Sequence, residues 1–297
     1  MQFRLQSLSR LLESPHGWQE NSKQLFPRAL AGVFSRRRGS PGRASDRGAR
    51  RVAADFLPAL LGRLSALLPD MIELIQFPWS PYCLLQKRIL EFSGAPFKST
   101  NIPSTDRSLV WHLTRHRYYQ VPVLRDGRMI LFETEDNSQV IAKYLDDKLK
   151  LGLFPPEWAG VQDLIWPHIE NDIESFTFKL NDAYYTEFVP RAEQLNYLRH
   201  KERKFGRGCV EKWRLEEKYL RDELARRLSP FEQMLAHREF LLDYRPRFLD
   251  FDLFGMLANL LFTGHHELPV AHRRLRRWHA RMSQVTLQDM ALDDCPF

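Results

Sequence analysis

The segment Phe77–Cys83, with the sequence FPWSPYC, places a hydroxyl and a thiol at the predicted start of a helix. Proline is favoured at the first position of a helix, so Pro81 puts Ser80 at the N-cap and Cys83 in the first turn. The unpaired N–H groups and the positive dipole end at a helix N-terminus stabilise a thiolate. The segment therefore fits chemistry on sulfur, with Ser80 donating a hydrogen bond to a thiolate and with Cys83 or the hydroxyl of Tyr82 as alternatives.

The free energies needed for such a role are modest. Lowering a thiol pKa from about 8.5 to about 6.5 requires about 2.7 kcal/mol. A hydrogen bond to a charged group contributes roughly 1.5–3 kcal/mol, and a helix N-terminus up to about 2 kcal/mol. The hydroxyl of Ser80 is therefore sufficient, but it could also act only as a helix cap. Cys83 could likewise be only a small buried side chain.

Histidine pairs elsewhere in the sequence do not form a convincing metal site. His112 and His116 are four residues apart, and His265 and His266 precede Glu267. Neither group has an evident third ligand, and the sequence lacks the H-E-x-x-H spacing of zinc hydrolases. We therefore expect no metal.

A β-α-β-α-β-β-α pattern surrounds the FPWSPYC segment. Apolar runs and alternation predict strands, and a period of 3.6 residues predicts helices. Gly94 marks the end of the helix that starts at Pro81, and Asp126-Gly127 marks the turn of a hairpin. The predicted elements are strands 71–77 and 96–102, helices 81–92 and 106–115, hairpin 121–132 and a helix that begins at Ser138.

The second half of the sequence changes to helical periodicity. Residues 150–159 contain two adjacent prolines and are predicted to be a linker. From residue 160 to residue 290 nearly all of the sequence has helical spacing, and Pro167 is expected to start or kink the first long helix. Asp252 is the expected N-cap of a very apolar helix. The predicted helices are 161–185, 191–204, 210–228, 230–237, 252–263 and 270–285.

The charge of the chain is concentrated near its N-terminus. The 297 residues have a net charge of +7, and residues 1–70 alone carry 12 basic and five acidic side chains. The rest of the chain is therefore balanced, which argues against a nucleic-acid-binding surface on the folded body. No apolar run is long enough for a membrane-spanning helix. Three scattered cysteines indicate a reducing compartment rather than a disulfide framework.

Residues 1–70 allow three interpretations. This segment is rich in arginine, serine and glycine, so its central part cannot bury an apolar face and is expected to be disordered. It could precede the true start of the protein, or be an organellar transit peptide, or be a basic tail. We expect the first, because Met71 immediately precedes the first predicted strand. On that interpretation the folded body acts in the cytoplasm.

Five motifs within residues 71–290 resemble the glutathione S-transferase superfamily. The motif SPYC resembles the active-site turn of glutaredoxins with Ser80 in place of the first cysteine, and VPVL, with Pro122, is similar to the family's cis-proline loop. The other motifs resemble the family's glutathione-binding serine stretch and its last helices, and they are DNSQVIAKYLDDK, RPRFLDFDLFGMLANLL and LRRWHARM. The resemblance implies an α/β thioredoxin-like N-terminal domain at residues 71–149, of βαβαββα order, followed by an all-α domain at residues 160–290.

The resemblance also implies where glutathione would bind. The residues concerned are Val121, Pro122, Asp136, Asn137, Ser138 and Arg107. Ser138 would hold the γ-glutamyl carboxylate at a helix N-terminus, which suits an anion. The acidic residue that the family places before this serine is Asn137 here, and Asp136 or Glu135 could take its role. Arg107, or alternatively Arg117, could pair with the glycyl carboxylate.

The implied function is transfer of the glutathione thiolate, stabilised by Ser80, to an electrophile or a mixed disulfide. The expected partners are glutathione as co-substrate, a hydrophobic electrophilic small molecule and a second copy of the chain, with no nucleic acid or membrane. A non-catalytic binding or assembly module of the same fold is an alternative, which the altered residue before Ser138 favours. A glutaredoxin-like thiol oxidoreductase is a second alternative, which the replacement of the first cysteine by Ser80 disfavours.

Overall fold

The computed structural model describes residues 71–134 and 139–293, the last three of them by their backbone alone. The predictions made for residues 1–70 lie outside these ranges. Asp136, Asn137 and Ser138 of the expected glutathione site also lie outside them. Within the described ranges, no helix is both long and apolar enough to cross a membrane.

The N-terminal half has the predicted βαβαββα order around one four-stranded sheet. The sheet order is β2-β1-β3-β4, in which β1 is parallel to β2, antiparallel pairing joins β1 to β3, and antiparallel pairing joins β3 to β4. Every residue of β1 is buried, which explains its continuous apolar character. The elements are β1 Ile72–Gln76, α1 Pro81–Ser93, β2 Phe97–Asn101, α2 Ser108–Leu113, β3 Val123–Asp126, β4 Met129–Phe132 and α3 Val140–Leu149.

The ends of α1 and of the hairpin depend on two glycines. Gly94 follows α1 with φ 69°, and its N–H donates to the carbonyl of Glu91. The β3–β4 turn consists of Gly127 and Arg128, one residue later than predicted, because Asp126 pairs with Met129. Gly127 has φ 57°. Both positions lie in the left-handed region, which glycine adopts without the steric cost of a Cβ.

In the part of the chain that the structure describes, every regular element of the C-terminal half is a helix. A 3₁₀ turn at Pro156–Trp158 leads into it, and a π-helical turn at His168–Ile173 lies within its first long helical segment. The α-helices are α4 Ala159–Pro167, α5 Glu174–Asp182, α6 Tyr185–Phe188, α7 Arg191–Phe205, α8 Cys209–Leu215, α9 Glu217–Met234, α10 Phe248–Leu260, α11 Arg273–Met282 and α12 Leu287–Asp293.

The two prolines that lie within described α-helices of this half act differently from each other. Pro167 is the last residue of α4 and directly precedes the π-helical turn, as expected where a missing N–H interrupts the helical hydrogen bonds. The break predicted before Pro230 is wrong, because α9 continues through this residue. Leu224, Leu228 and Phe231 are all buried in α9. Packing of this continuous apolar face outweighs the loss of one backbone hydrogen bond.

The helix predicted to begin at Asp252 begins four residues earlier, at Phe248. Asp250 is its capping carboxylate, and its Oδ2 accepts from the N–H of Arg247 at 2.9 Å. Its Oδ1 accepts from the N–H of Leu241 at 2.9 Å and from the indole of Trp278 at 2.8 Å. The prediction of Asp252 as the N-cap is therefore wrong, because hydrogen bonds from distant segments select the neighbouring aspartate.

One hydrophobic core joins the two halves of the described chain. Helix α1 buries Leu85, Ile89 and Phe92 in this core and packs against α10. The helices are in close contact at Gly255, where a Cβ would lie 2.6 Å from the carbonyl oxygen of Pro81 and 2.8 Å from the Cβ of Leu85. The start of α1 is therefore positioned directly by the helical half.

Candidate functional site

Ser80 occupies the position predicted for it, immediately before α1. Its backbone is extended, with φ −68° and ψ 128°, and its N–H donates to the carbonyl of Phe77 at 3.1 Å. Its own carbonyl accepts from Leu84 at 2.9 Å, as the first bond of the helix. The hydroxyl of Ser80 makes no capping hydrogen bond to any described residue of α1. The hydroxyl of Ser80 therefore does not act as a simple side-chain cap of α1.

Cys83 is a buried thiol. Its side chain is 0% exposed, and burial raises its pKa to about 12. A hydrogen bond from the hydroxyl of Ser80, a backbone hydrogen bond at Phe77 and the charge of Arg107 all act in the opposite direction but do not offset burial. Cys83 is therefore protonated at neutral pH, and it is poorly suited to attack another molecule.

The hydroxyl of Tyr82 is affected by burial and by acidic groups of the helical half. Burial, and then the charges of Glu174, Glu170 and Asp252, raise the pKa of Tyr82 well above its usual range. This hydroxyl therefore stays protonated and can only donate or accept a neutral hydrogen bond. The three carboxylates all belong to the helical half, so Tyr82 lies where the two halves meet.

The peptide bond between Val121 and Pro122 is cis, as expected for the loop before β3. Both residues are buried. Val121 belongs to a second apolar cluster that also contains Phe77, Trp79 and Cys83. The cis-proline loop and the turn that carries Ser80 are therefore parts of one packed unit at one end of the sheet.

Arg107 lies at the same end of the sheet. Its Nη1 donates to the carbonyl of Tyr119 at 2.9 Å and to Oε1 of Gln120 at 2.7 Å. Its guanidinium carbon is 4.9 Å from the centre of the Phe77 ring. Burial lowers its pKa, and the nearby groups whose charges act on it include Cys83. The structure therefore brings Arg107 close to the start of α1, as a partly buried cation that is held in place.

Glu133 was not selected from the sequence, yet it satisfies the N-terminus of α3. Its Oε2 accepts from the N–H of Val140 at 2.8 Å, and its Oε1 accepts from the N–H of Ile141 at 3.4 Å. Burial raises the pKa of Glu133 to about 8, although these two hydrogen bonds lower it. The only sequence signal was an acidic residue shortly before a predicted helix. The side chain of Glu133 thus occupies backbone N–H donors at the N-terminus of α3. The γ-glutamyl carboxylate of glutathione was expected to bind at this same helix N-terminus.

The helical half holds the turn before α1 at several points. Nδ2 of Asn259 in α10 donates to the carbonyl of Trp79 at 2.7 Å. The Trp79 ring lies with its centre 5.1 Å from that of Phe188 in α6 and 6.5 Å from that of Tyr197 in α7. The loop after β2 is attached as well, because Glu193 accepts from the N–H and the hydroxyl of Ser104 at 2.7 Å and 2.6 Å.

Metal chemistry gains no support from this arrangement. Among the described residues, no group of three or more histidine, cysteine, aspartate or glutamate side chains is arranged to hold a metal ion. The side chains gathered around the start of α1 are instead a hydroxyl, a neutral thiol, a guanidinium and aromatic rings. Such a set can bind an anionic peptide-like ligand and donate a hydrogen bond to its sulfur.

Sequence comparison identifies the N-terminal half alone. Residues 74–150 match the profile described as "Glutathione S-transferase, N-terminal domain". No match was found among curated protein sequences.

Structural comparison extends the similarity to the helical half. A glutathione transferase from Phanerochaete chrysosporium is 17% identical, with a TM-score of 0.61, over 73% of this chain and 97% of that one. A glutathione S-transferase from Ceriporiopsis subvermispora, solved in complex with glutathione, is 18% identical, with a TM-score of 0.57, over 75% of this chain and 100% of that one. Glutaredoxin 2 from Salmonella typhimurium, also in complex with glutathione, is 17% identical, with a TM-score of 0.57, over 75% and 99%. At these identities the similarity establishes the fold.

Proposed function

This chain carries the N-terminal domain of the glutathione S-transferases on the two-domain fold of that superfamily, and from this premise we propose that it binds reduced glutathione at the start of α1. The cysteinyl part would lie along Val121 and the cis Pro122. The glycyl carboxylate would lie near Arg107. The γ-glutamyl end would lie at the N-terminus of α3, where Asp136, Asn137 and Ser138 are the proposed contacts.

The observation that carries this proposal is the hydroxyl of Ser80. It lies at the N-terminus of α1, where it bonds to the Cys83 thiol and makes no capping bond to the backbone of the described part of the helix. It shares this end of the sheet with the cis peptide bond at Val121–Pro122. A thiol placed there would meet both a hydroxyl donor and the positive end of a helix dipole.

We propose that Ser80 stabilises the thiolate of bound glutathione, which then attacks an electrophile. The glutathione thiol loses its proton to solvent, and its sulfur forms a bond to the electrophilic carbon or to one sulfur of a mixed disulfide. The bonding pair of the leaving group departs with that group. Cys83 is not needed in this scheme, because its own thiol is buried and neutral.

The second copy of the chain expected from the resemblance also remains a proposal. Apolar side chains are exposed on the edge strand β4, at Met129, and on α4, at Val161 and Leu164. Leu164 exposes 79% of its surface and lies one helical turn from Val161. We propose a homodimer that covers these side chains, and the cytoplasm as its compartment. Leu164→Glu should shift the mass measured by light scattering from dimer to monomer.

A non-catalytic binding module is the alternative that a specific observation favours. Glu133 already accepts hydrogen bonds at the first turn of α3, where the γ-glutamyl carboxylate would be held. A glutathione-binding site that is blocked in this way would leave the fold available for contact with other proteins. The glutaredoxin-like alternative is weaker, because a thiol with a pKa of about 12 does not supply a thiolate at neutral pH.

Isothermal titration with reduced glutathione tests the proposal at its first step. Absence of binding at millimolar concentration would remove the transferase proposal and leave the binding module. If glutathione binds, the second step is the pH dependence of its conjugation to a neutral aryl electrophile. Ser80→Ala should raise the pKa of bound glutathione by about 1–2 units, which corresponds to about 1.4–2.7 kcal/mol. Cys83→Ala is the matched control and should leave the pH profile in place.

A further inference from the structure

A cavity of about 320 Å³ lies within the helical half. Every residue that lines it belongs to α5, α7, α8, α9 or the single residue between α8 and α9. Its volume is at the lower end of the range of small-molecule sites in proteins. The cavity is therefore a candidate binding site that is built separately from the start of α1. We call it the helical cavity, and its apolar lining consists of Phe176, Phe205, Cys209, Trp213, Tyr219 and Leu220.

The walls of the helical cavity are largely aromatic. Phe176 and Trp213 are buried, whereas Phe205 is 37% exposed and Tyr219 is 61% exposed. The exposed rings mark the mouth of the cavity, and the buried rings mark its floor. The Phe205 and Trp213 rings lie edge to face, with their centres 5.4 Å apart and an angle of 71° between their planes. Walls of this kind favour an apolar ring as the ligand.

Lys179 supplies a positive charge inside this aromatic lining. Its Nζ lies 5.6 Å from the centre of the Phe176 ring and 5.9 Å from the centre of the Phe178 ring. Burial lowers the pKa of Lys179. Its ammonium group forms neither a hydrogen bond nor an ion pair with any residue that the structure describes. A partly buried ammonium that has only rings beside it can still donate its hydrogen bonds to an anion.

A second ammonium group lines the same cavity, but it already has a partner. Nζ of Lys212 lies 3.8 Å from Oε1 of Glu216, which is one helical turn away. The charges of Glu174 and Glu216 also act on Lys179, but from beyond ion-pair distance. Of these groups, Lys179, Lys212 and Glu216 belong to the lining, so the lining carries two positive charges and one negative charge. Its net charge of +1 favours an anionic ligand over a cationic one.

We propose that the helical cavity binds a small aromatic carboxylate, with its ring against the aromatic lining and its carboxylate on the ammonium group of Lys179. The carboxylate supplies the acceptor that this ammonium lacks within the described protein. Because both groups are partly shielded from water, their hydrogen bond is stronger than it would be on an open surface. The inference is independent of glutathione transfer and adds a second ligand site to the chain.

Two probes of nearly equal shape test the inference, namely 3-phenylpropionate and its neutral amide, 3-phenylpropanamide. The measurement is isothermal titration of the full chain at pH 7 and low salt. We expect the carboxylate to bind at least about tenfold more tightly than the amide, because a hydrogen bond to a charged group contributes at least this factor. Lys179→Gln should remove the difference, and Lys179→Arg should retain it. Equal affinity of the two probes for the wild-type protein would overturn the inference.

Lys218→Gln is the matched control, because it removes the same charge from an exposed lysine whose Nζ pairs with Oδ2 of Asp222 at 2.6 Å. This variant should keep its affinity for 3-phenylpropionate within about twofold. An equal weakening in Lys179→Gln and Lys218→Gln would show that only the overall charge matters, which would also overturn the inference. Glu216→Gln should act in the opposite direction and strengthen binding about threefold, because it removes the negative charge of the lining.

Titration in the presence of saturating reduced glutathione separates this inference from the proposed function. Unchanged affinity for 3-phenylpropionate supports a separate cavity, whether or not the chain transfers glutathione. Competition between the two ligands would assign the carboxylate to the glutathione site and overturn the inference. If Lys179→Gln does not fold, Glu216→Gln decides the question, since a failure to strengthen binding would contradict the role of the charged lining.

Discussion

Helices α1 and α10 pack against each other, yet their N-termini are satisfied in opposite ways. At α10, Asp250 accepts hydrogen bonds from Arg247, Leu241 and Trp278 and is completely buried. At α1, Ser80 stands in the capping position, but its hydroxyl makes no capping bond to the described helix. The first N-terminus is committed to stability. The hydroxyl at the second bonds to the Cys83 thiol, a weak partner that a ligand's sulfur would replace, and this difference separates a structural capping residue from a candidate functional one.

Among the substitutions that test this comparison, Asp250→Ala is expected to cause the largest loss of stability. The substitution leaves three donors without an acceptor, two of them buried, and each buried donor costs about 1–3 kcal/mol. We expect the free energy of unfolding in urea to fall by about 3–5 kcal/mol. Asp289→Ala is the matched control, because Asp289 accepts from the N–H and hydroxyl of Thr286 at an exposed helix start. It should lose only about 1 kcal/mol, and an equal loss in both variants would contradict the distinction.

Gly255→Ala tests the contact between the start of α1 and the middle of α10. The new Cβ would lie 2.6 Å from the carbonyl oxygen of Pro81, which is backbone and cannot move aside cheaply. We expect a loss of about 2–3 kcal/mol in the free energy of unfolding. Gly160→Ala is a suitable control, since its Cβ would meet nothing within 4 Å. A stability equal to that of the control would mean that α1 and α10 separate more easily than the packing indicates.

The N-terminus of α3 is a third case. Its backbone donors are bound by the carboxyl group of Glu133, whose contribution to the stability of the fold depends on pH. Its pKa in the folded chain is about 8, raised from 4.5, so the folded state binds more protons between these values. Its contribution to stability is therefore fully present below about pH 4.5 and is lost as the pH rises through 8. Glu170 and Glu174, each with a pKa of about 7, act in the same direction.

The direction of this pH dependence is tested by measuring the free energy of unfolding at pH 5 and at pH 8. Wild-type protein should lose more stability between these values than Glu133→Gln, by about 1 kcal/mol after allowance for the partial exposure of Glu133. The exposed substitution Glu157→Gln should behave as wild type. If Glu133→Gln loses as much free energy of unfolding between pH 5 and pH 8 as wild type does, Glu133 is not the group whose titration causes the loss.

The smallest effect on stability is expected for Ser80→Ala. Loss of a working N-cap costs about 1 kcal/mol, but this hydroxyl makes no capping bond, so we expect a change below about 0.5 kcal/mol in chemical denaturation. A loss as large as that of Asp289→Ala would mean that Ser80 is a helix cap in solution. The pH profile of conjugation then becomes the deciding measurement for its functional role.

The start of α1 could be predicted from the sequence because its signals are local. Pro81 fixes the first helical residue, and Gly94 provides the left-handed C-cap. The start of α10 could not be predicted correctly, because Asp250 and Asp252 are both plausible capping residues in the same segment. The choice is made by donors that are distant in sequence, at Leu241 and Trp278.

The candidate site follows the same rule. The position of Ser80 and the cis bond at Pro122 could be anticipated from short motifs, and both are confirmed. The role of Glu133 could not, because an acidic residue at the end of a strand becomes significant only when the chain turns back onto α3. The helical cavity depends on the meeting of α5 with α8 and α9, which brings Lys179 and Trp213 into one lining. No local pattern encodes that meeting.

The single core shared by α1 and α10 limits how genes for such chains can be cut and recombined. A fragment that encodes residues 71–149 would release a helix whose Leu85, Ile89 and Phe92 have lost their partners. A hybrid gene that joins this fragment to the helical half of another chain would need a glycine where Gly255 meets Pro81. The two halves are thus separate in architecture but form one unit of exchange in evolution and in protein engineering.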